Sequence, residues 1–555
     1  MIEKIKLQLK SEIELKLDVT DVIVETPKKG GADLAMPLFA MAKQLRKSPM
    51  DIFNTIKADI LSHSEVEDVV FLNGFLNITL KRGKVAKDIL NTIYLEEENY
   101  GQLPNNNKVV CIDYSSPNIA KSFSVGHLRS TVIGNSLRRI YEKRGYKVFG
   151  INHLGDWGTQ FGKMIVAYQK WGNKEDIEKD PIDELQKLYV RFHEEEANDP
   201  TLEQQGRDAF KKLEDNDPEY IELWRWFREE SLKEFMTMYD ILNVTFDSYN
   251  GEAFYNDKMD RIVEMLESKN LLKVDEGATI VELENMTPAL IKRSDGATLY
   301  MTRDLAALIY RYENYHFDKM LYVVGNEQRL HFEQLKAITN LMGYNFDIEH
   351  VNFGLILLDG KKMSTRGGKT KKLDAVIAQA VEFAKAAILE KNPNLNNQDE
   401  VAKAVGVGAI IFNDLKNERH LDVDFNLENM IKFEGQTGPY VQYSSVRIAS
   451  ILKNQTIDLN LVDESFYKLD HYFDIVMLLS QFPQIVDRAI EQNSPSTIAR
   501  YLLQLSQAFN SFYGKQKVIV EDKGHLNANL LFVKAIRTVI NEGLRLIGMT
   551  ALDEM

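Results

Sequence analysis

The sequence predicts an α/β chain. A parallel nucleotide-binding sheet stands in the middle, a small α/β region precedes it and an all-helical region follows it. Three observations carry this. The apolar run Val109-Val110-Cys111-Ile112 is followed by a loop, then by Val125, Leu128, Val132, Leu137, Ile140 and Tyr141 at helical spacing, then by a second run, Lys147–Ile151. That order is one strand–helix–strand unit of a parallel sheet. A continuous apolar run at 319–325 is the mark of a strand buried on both faces. From about Val401 the pattern is helical to the end.

With 555 residues the chain holds several domains. The boundaries fall at 1–105, at 106–400 with a helical insertion over about 163–275, and at 401–555. Apolar content of 44% and charge of 27% are those of an ordinary globular protein. The single Cys111 excludes an intrachain disulfide and a multi-cysteine zinc site, and fits a reducing cytoplasm. No apolar run resembles a signal peptide or a membrane span, so a cytoplasmic protein is expected. The net charge of −14 speaks against a polyanion partner only if it is spread evenly. It is not. Residues 175–260 hold 25 acidic and 10 basic side chains, a balance of −15, and the rest is near neutral.

In the first hundred residues a helix is expected over Ile2–Leu17, and Val22-Ile-Val24 is strand-like. A second helix is expected over 34–45, and a third is opened by Ser48-Pro49. Two strands joined by Asn73-Gly74 complete the region. Phe71 is assigned to the core. Phe75 and Asn77 stand evenly between core and contact. Tyr100–Asn107 is a polar linker.

The loop Asp113-Tyr-Ser-Ser-Pro-Asn-Ile-Ala-Lys121 leads into a helix that begins near Gly126-His127. Pro117 stiffens the loop, Gly126 allows close approach, and His127 stands at the helix end that favours phosphate. Asn152–Gly162 is dense in glycine and polar residues. The acidic segment that follows reads as helical throughout, with the Trp224/Trp226 pair as helix packing and no chemistry assigned. At 292–304 an Asp-Gly turn enters a helix, and His350–Leu357 reads as a further strand. The basic stretch 361–372 has six basic residues and no acid. By itself it is a solvated loop. Near the C-terminus, Tyr440, Tyr443 and Arg447 share a helix face, with Gln436 and Gln442 suggesting that the face is wet.

Ser-Val-Gly-His at 124–127 resembles the "HIGH" element of class I aminoacyl-tRNA synthetases. Together with Ser115–Lys121, Leu128–Thr131 and Asn152–Gly162 it is similar to the arginyl-tRNA synthetase version. Lys361–Lys372 resembles the "KMSKS" loop of the same class. The resemblance runs along essentially the whole chain. It implies a class I synthetase fold with an N-terminal domain that touches the tRNA elbow through Phe75 and Asn77. A C-terminal bundle would bind the anticodon through Tyr440, Tyr443 and Arg447. It implies ligation of L-arginine to tRNA(Arg) by way of an arginyl-adenylate, with ATP and Mg²⁺, by a monomer with no metal site of its own. Activation is expected to need tRNA.

The implied catalytic residues are Lys121, Ser124, His127, Lys362 and Lys369. ATP would meet Ser124, Gly126, His127, Gly354, Met363 and Ser364. Asp113, Asn118, Tyr300, Asp304 and Gln328 would hold arginine, since a planar, permanently charged guanidinium calls for carboxylates placed for forked hydrogen bonds. Two departures stand out: Ser124 replaces the first histidine of the motif, and Thr365 replaces the second loop lysine. Lys121 is expected to supply the missing charge. The alternatives are a non-catalytic tRNA-binding paralogue, which usually lacks His127 or the basic loop, and a cysteinyl ligase, whose zinc site needs soft ligands.

Overall fold

A computed structural model of the chain describes residues 1–27, 31–293, 300–358, 360–362 and 372–555, with the backbone alone at 358, 361 and 362. At its centre four strands run parallel in the order Asp347–His350, Lys319–Tyr322, Val109–Asp113, Lys147–Ile151. Lys319–Tyr322 and Val109–Asp113 are the inner pair, and their carboxyl ends meet where Asp113 lies opposite Tyr322. In open parallel sheets, ligands bind at such a junction, where the strand order reverses.

The helix Val125–Lys143 crosses from the first strand to its neighbour, as the spacing predicts. It lies close because Gly134 has no side chain. A Cβ there would stand 2.2 Å from the Tyr114 ring, which is wholly buried. Tyr114 in turn donates its hydroxyl hydrogen bond to Thr245 O at 2.9 Å, so strand, helix and insertion are joined at one ring.

That helix is fastened to the C-terminal region by ion pairs at both ends. Lys143 Nζ lies 2.9 Å from Glu542 Oε1, with both side chains buried. Arg144 meets Asp487 at 2.7 Å, and Arg129 meets Asp414 at 3.0 Å. Breaking one partner of the Lys143–Glu542 or Arg129–Asp414 pair, both buried, strands a buried charge, which typically costs about 3–5 kcal/mol. The helix Val125–Lys143 is thereby held at several points along its length.

Several expectations are revised. The apolar stretch 34–45 is not one helix. Leu34–Pro37 is a strand whose Leu34, Ala35 and Met36 lie opposite Ile78, Asn77 and Leu76, and only Phe39–Leu45 is helical. A four-residue buried run carries no periodicity that separates the two forms. The acidic segment is not helical throughout. Residues 243–251, between the helix Pro218–Leu242 and the 3-10 helix Glu252–Lys258, are irregular, with Ser248 bridging Ile151 at the sheet edge and Gly150 N–H donating to Asp247 Oδ2 at 2.7 Å. The run 350–357 is two pieces. One strand ends at His350, and Ile356–Leu358 joins a separate sheet between Lys361–Lys362 and Val423–Asp424. Gly354 makes the break, because a Cβ there would meet the Leu421 backbone at 2.6 Å. Val423–Asp424 also interrupts the helical region that begins at Gln398. Gln442 is fully buried and donates to Thr550 O at 2.9 Å, so it does not mark a wet face.

Among the described residues no helix is long and apolar enough to cross a membrane. The N-terminal strands Val66–Leu72 and Phe75–Leu80 form the expected hairpin, with Asn73 and Gly74 at φ 51° and 80° in its turn.

Candidate active site and nucleic-acid faces

The candidate site begins at His127. Its Nδ1 accepts the Ser124 backbone N–H at 3.0 Å. A backbone amide can only donate, so the proton of the neutral ring sits on Nε2. Burial, and then the nearby Lys121 ammonium, push the imidazole down to about 4. His127 is therefore a neutral donor at physiological pH, set in the first turn of a helix whose free N–H groups favour anions. Gly126 beside it is exposed. These groups fit a nucleotide phosphate.

The sign of the pH effect follows. The unfolded chain protonates this ring below its ordinary 6.5, whereas the folded protein resists until about 4. The ring thus favours unfolding progressively as the pH falls from 6.5 towards 4, and has no effect above that window. Because Lys121 contributes to the depression, Lys121→Gln is expected to move the His127 titration upward. Carbon-13 NMR of labelled histidine reads that directly, and an unmoved titration would mean that Lys121 stands away from the ring.

Lys121 itself is exposed. The basic stretch enters through Lys361–Lys362, antiparallel to Leu357–Leu358. It ends at Lys372, whose backbone bridges Ser124. Met363, Ser364 and Lys369 lie outside the described residues, as does the Asp-Gly turn at 295–296. Gly354 is buried against residues 419–422, with its N–H donating to Arg419 O at 2.9 Å. Backbone packing accounts for this glycine without a nucleotide.

At the carboxyl edge of the sheet lies a buried cluster of acids and bases. Asp304, one turn after Tyr300 on the helix Tyr300–Tyr315, accepts from His331 Nε2 at 2.6 Å. Burial pushes its carboxyl up, but that hydrogen bond, with His153 and Arg311 close by, outweighs it and holds the group below the usual range. Tyr300 is 65% exposed and Gln328 is exposed in the turn Asn326–Gln328, one turn before His331. Asn118 stands against the 152–156 stretch. Its backbone bridges Gly155, where a Cβ would collide with the Asn118 Oδ1.

Asp113 is engaged within the chain. Its carboxylate is buried and holds a guanidinium from within the chain, Arg311 Nη2 at 2.8 Å, while Ser116 Oγ donates to it at 2.9 Å. Arg311 is 1% exposed. A pair so buried, with Arg311 also over the Tyr322 ring at 5.8 Å, is a strut across the strand ends.

The structure adds Glu252 instead. Burial, and then Asp304 and Asp156 nearby, push its carboxyl up to about 7, with Arg303 pulling against them. Arg303 Nη1 reaches it at only 3.3 Å. Glu252 is held in place by Asp156, whose Oδ1 accepts the Ala253 N–H at 2.9 Å and whose Oδ2 pairs with Arg228 at 2.9 Å. Gly251 has no side chain because one would strike that carboxylate at 2.5 Å. Two neighbouring carboxyl groups, one driven towards neutrality mainly by burial and further by the other, make a receptor for a cation. The expected set omitted Glu252, His153 and His331. Only the polar density of Asn152–Gly162 pointed to this wall.

The family model described as "tRNA synthetases class I (R), catalytic domain" matches residues 89–427. The chain belongs to the arginyl-tRNA synthetase family. Models described as "Arginyl tRNA synthetase N terminal domain" and "DALR anticodon binding domain" match residues 1–80 and 441–555. An arginine–tRNA ligase from an Exiguobacterium species is 52% identical over 550 residues, covering 98% of this chain and 97% of its own. One from Bacillus anthracis is 50% identical over 539 residues, covering 96% and 95%. The arginyl-tRNA synthetase structures of Thermus thermophilus and Plasmodium falciparum superpose with TM-scores of 0.79 and 0.81 at 24% identity. Each alignment covers 100% of this chain and at least 99% of the other. They share its fold. Class I synthetases use ATP.

Two outer faces complete the arginyl-tRNA synthetase architecture. On the N-terminal sheet, Phe75 and Asn77 alternate outward from buried Leu76 and Ile78, and the Phe75 ring stands edge-on to exposed Phe39 at 5.8 Å. Phe71 packs against Phe53 at 5.6 Å, in keeping with the core. On the bundle, Tyr440 is half-buried, and Arg447 lies over the rings of Tyr443 and Tyr513 at 4.9 and 5.1 Å.

Proposed function

We propose that this chain joins L-arginine to tRNA(Arg) with ATP, acting as a monomer. Its three regions, 1–105, 106–400 and 401–555, serve the tRNA elbow, the chemistry and the anticodon. The observation that carries the reading is the Glu252/Asp304 carboxyl pair at the sheet's carboxyl edge, on the same fold that offers His127 to a phosphate. A guanidinium between those carboxyls would have its charge matched and would return Glu252 to the ionised form. Tyr300 and Gln328 border the pocket, and Asn118 faces the arginine backbone groups.

In the first step an arginine carboxylate oxygen attacks the α-phosphorus of ATP. The bond from that phosphorus to the bridging oxygen breaks, and pyrophosphate leaves; Mg²⁺, when bound with the nucleotide, would supply positive charge to the phosphates. The chain's contribution is position and charge. His127 Nε2–H donates to a phosphate oxygen, the Ser124 hydroxyl stands beside it, and Lys121, Lys362 and Lys369 offset the developing negative charge. In the second step a terminal ribose hydroxyl of tRNA attacks the carbonyl carbon and AMP departs. Phe75 and Asn77 contact the elbow, and Tyr440, Tyr443 and Arg447 contact the anticodon, where a base stacked on a ring is worth about 1–3 kcal/mol.

Exchange of labelled pyrophosphate into ATP tests this reading. The expected result is exchange that needs arginine and tRNA together. Robust exchange with arginine alone would remove the tRNA requirement, and exchange driven by another amino acid would remove the substrate.

A further inference from the structure

The helical insertion reaches the reaction centre at a place that its acidic composition does not foretell. On the helix Pro181–Glu196, Asp183 and Gln186 stand three residues apart and so share a face. Gln186 Oε1 accepts from Ser122 Oγ at 2.8 Å. Asp183 Oδ1 forms an ion pair with Lys372 Nζ. Ser122 directly follows Lys121. Lys372 bridges Ser124 through its backbone, and the next residue, Leu373, donates its N–H to Phe123 O at 3.0 Å. One helix face therefore grips the loop on both sides, at Ser122 directly and at Ser124 through Lys372.

The loop has reason to be gripped. Ser115, Ser116 and Ala120 have φ of 72°, 48° and 58°, in the left-handed region that non-glycine residues rarely adopt. Such backbone persists only where its surroundings over-determine it. Ser115 is held by the helix Val125–Lys143, its N–H donating to Ser130 Oγ at 2.9 Å, and the later part of the loop by the insertion: Ala120 N–H donates to Ser231 Oγ at 2.9 Å, and the Phe123 ring meets Phe235 edge-on at 5.8 Å. The outer contacts differ in kind from these buried ones. The Lys372 and Asp183 side chains are each about a third exposed, at 37% and 31%. A pair so exposed adds little to stability, and its use is in placing what it holds.

We propose that the Pro181–Glu196 helix is a clasp, and that Asp183 and Gln186 are positioning residues. By holding Lys372 and Ser122 they set Lys121 against His127 for adenylate formation. This rests on the function proposed above. Neither residue touches a substrate. Their effect is on the geometry of groups that do, and a displacement of about 1 Å at such groups can cost a hundredfold in rate.

The test uses the full chain with tRNA, ATP and arginine. The double variant Asp183→Asn/Gln186→Ala is expected to lower the maximal exchange rate about tenfold, with KM for arginine unchanged within about twofold. Its melting temperature should stay within about 2 °C of the parent. The His127 titration should move upward as Lys121 drifts from the ring. Exchanging the charges in Asp183→Lys/Lys372→Asp should recover the rate to within about threefold of the parent, and Asp183→Glu should do the same. A double variant within twofold of the parent with an unmoved His127 titration would overturn the clasp. So would a rate loss that tracks a fall in melting temperature and is not recovered by the exchange. If the parent shows no arginine-dependent exchange, the functional reading fails. The His127 titration then decides the clasp alone, an upward shift supporting it and none overturning it.

Discussion

With Asp304 replaced by alanine, arginine is expected to lose about 3–5 kcal/mol of its selection over neutral amino acids, the cost of leaving a buried charge unmatched. The loss should be seen in kcat/KM for arginine, since a guanidinium set against Glu252 and Asp304 is held in ground and transition states alike. Asp304 is not a free surface acid. It is half-buried on the helix Tyr300–Tyr315, oriented by His331 at 2.6 Å and flanked by His153 at 3.9 Å. With the carboxylate gone, Glu252 loses one of the charges that raise it and moves down from about 7, while burial, the larger cause, remains. The variant therefore still carries one charge for the cation, which separates a loss of selection from a collapse of the pocket. A change in arginine usage of less than a few-fold would return Asp304 to a structural partner of His331.

Lys121→Ala is expected to slow activation by ~10²–10³-fold with arginine affinity little changed, the effect of withdrawing one charge from a developing phosphate anion. The loop sequence Lys362-Met-Ser-Thr-Arg366 lacks a second lysine, and a neutral threonine cannot offset negative charge. Lys121 is exposed, close enough to His127 to depress its imidazole, and follows a backbone turn at Ala120 with φ 58°. Thr365→Lys in the Lys121→Ala background should recover part of the loss. If Lys121→Ala stays within a few-fold of the parent, Arg366 is the better source of the charge.

Much of this architecture was legible in the chain because periodicity and punctuation were strong. The run before Asp113, the helix from Val125 and the hairpin at Asn73-Gly74 each have one reading. Where the signal was short or double, it failed. Leu34–Pro37 is too short to show a period, and the run 350–357 hides the bend at Gly354, which only the approach of Leu421 explains. The site was legible where a motif named its residues and illegible where tertiary packing made them. Nothing in the Asn250-Gly-Glu-Ala253 stretch says that Glu252 is buried beside Asp304. That follows from Asp156 holding a turn about a hundred residues away in sequence. The ion pair of Asp113 was illegible for the same reason, since its partner Arg311 comes from a helix in the other half of the fold.

Charging of tRNA(Arg) by the purified chain, tried with arginine, lysine and glutamine in parallel, tests the central claim most directly. The Glu252/Asp304 pair predicts that arginine alone is attached. Lysine would lack the planar fork and glutamine the charge, and a site built around a buried acid discriminates strongly against a ligand that leaves it unpaired. Attachment of lysine or glutamine at an efficiency comparable to arginine, or tRNA binding with no charging at all, would contradict it.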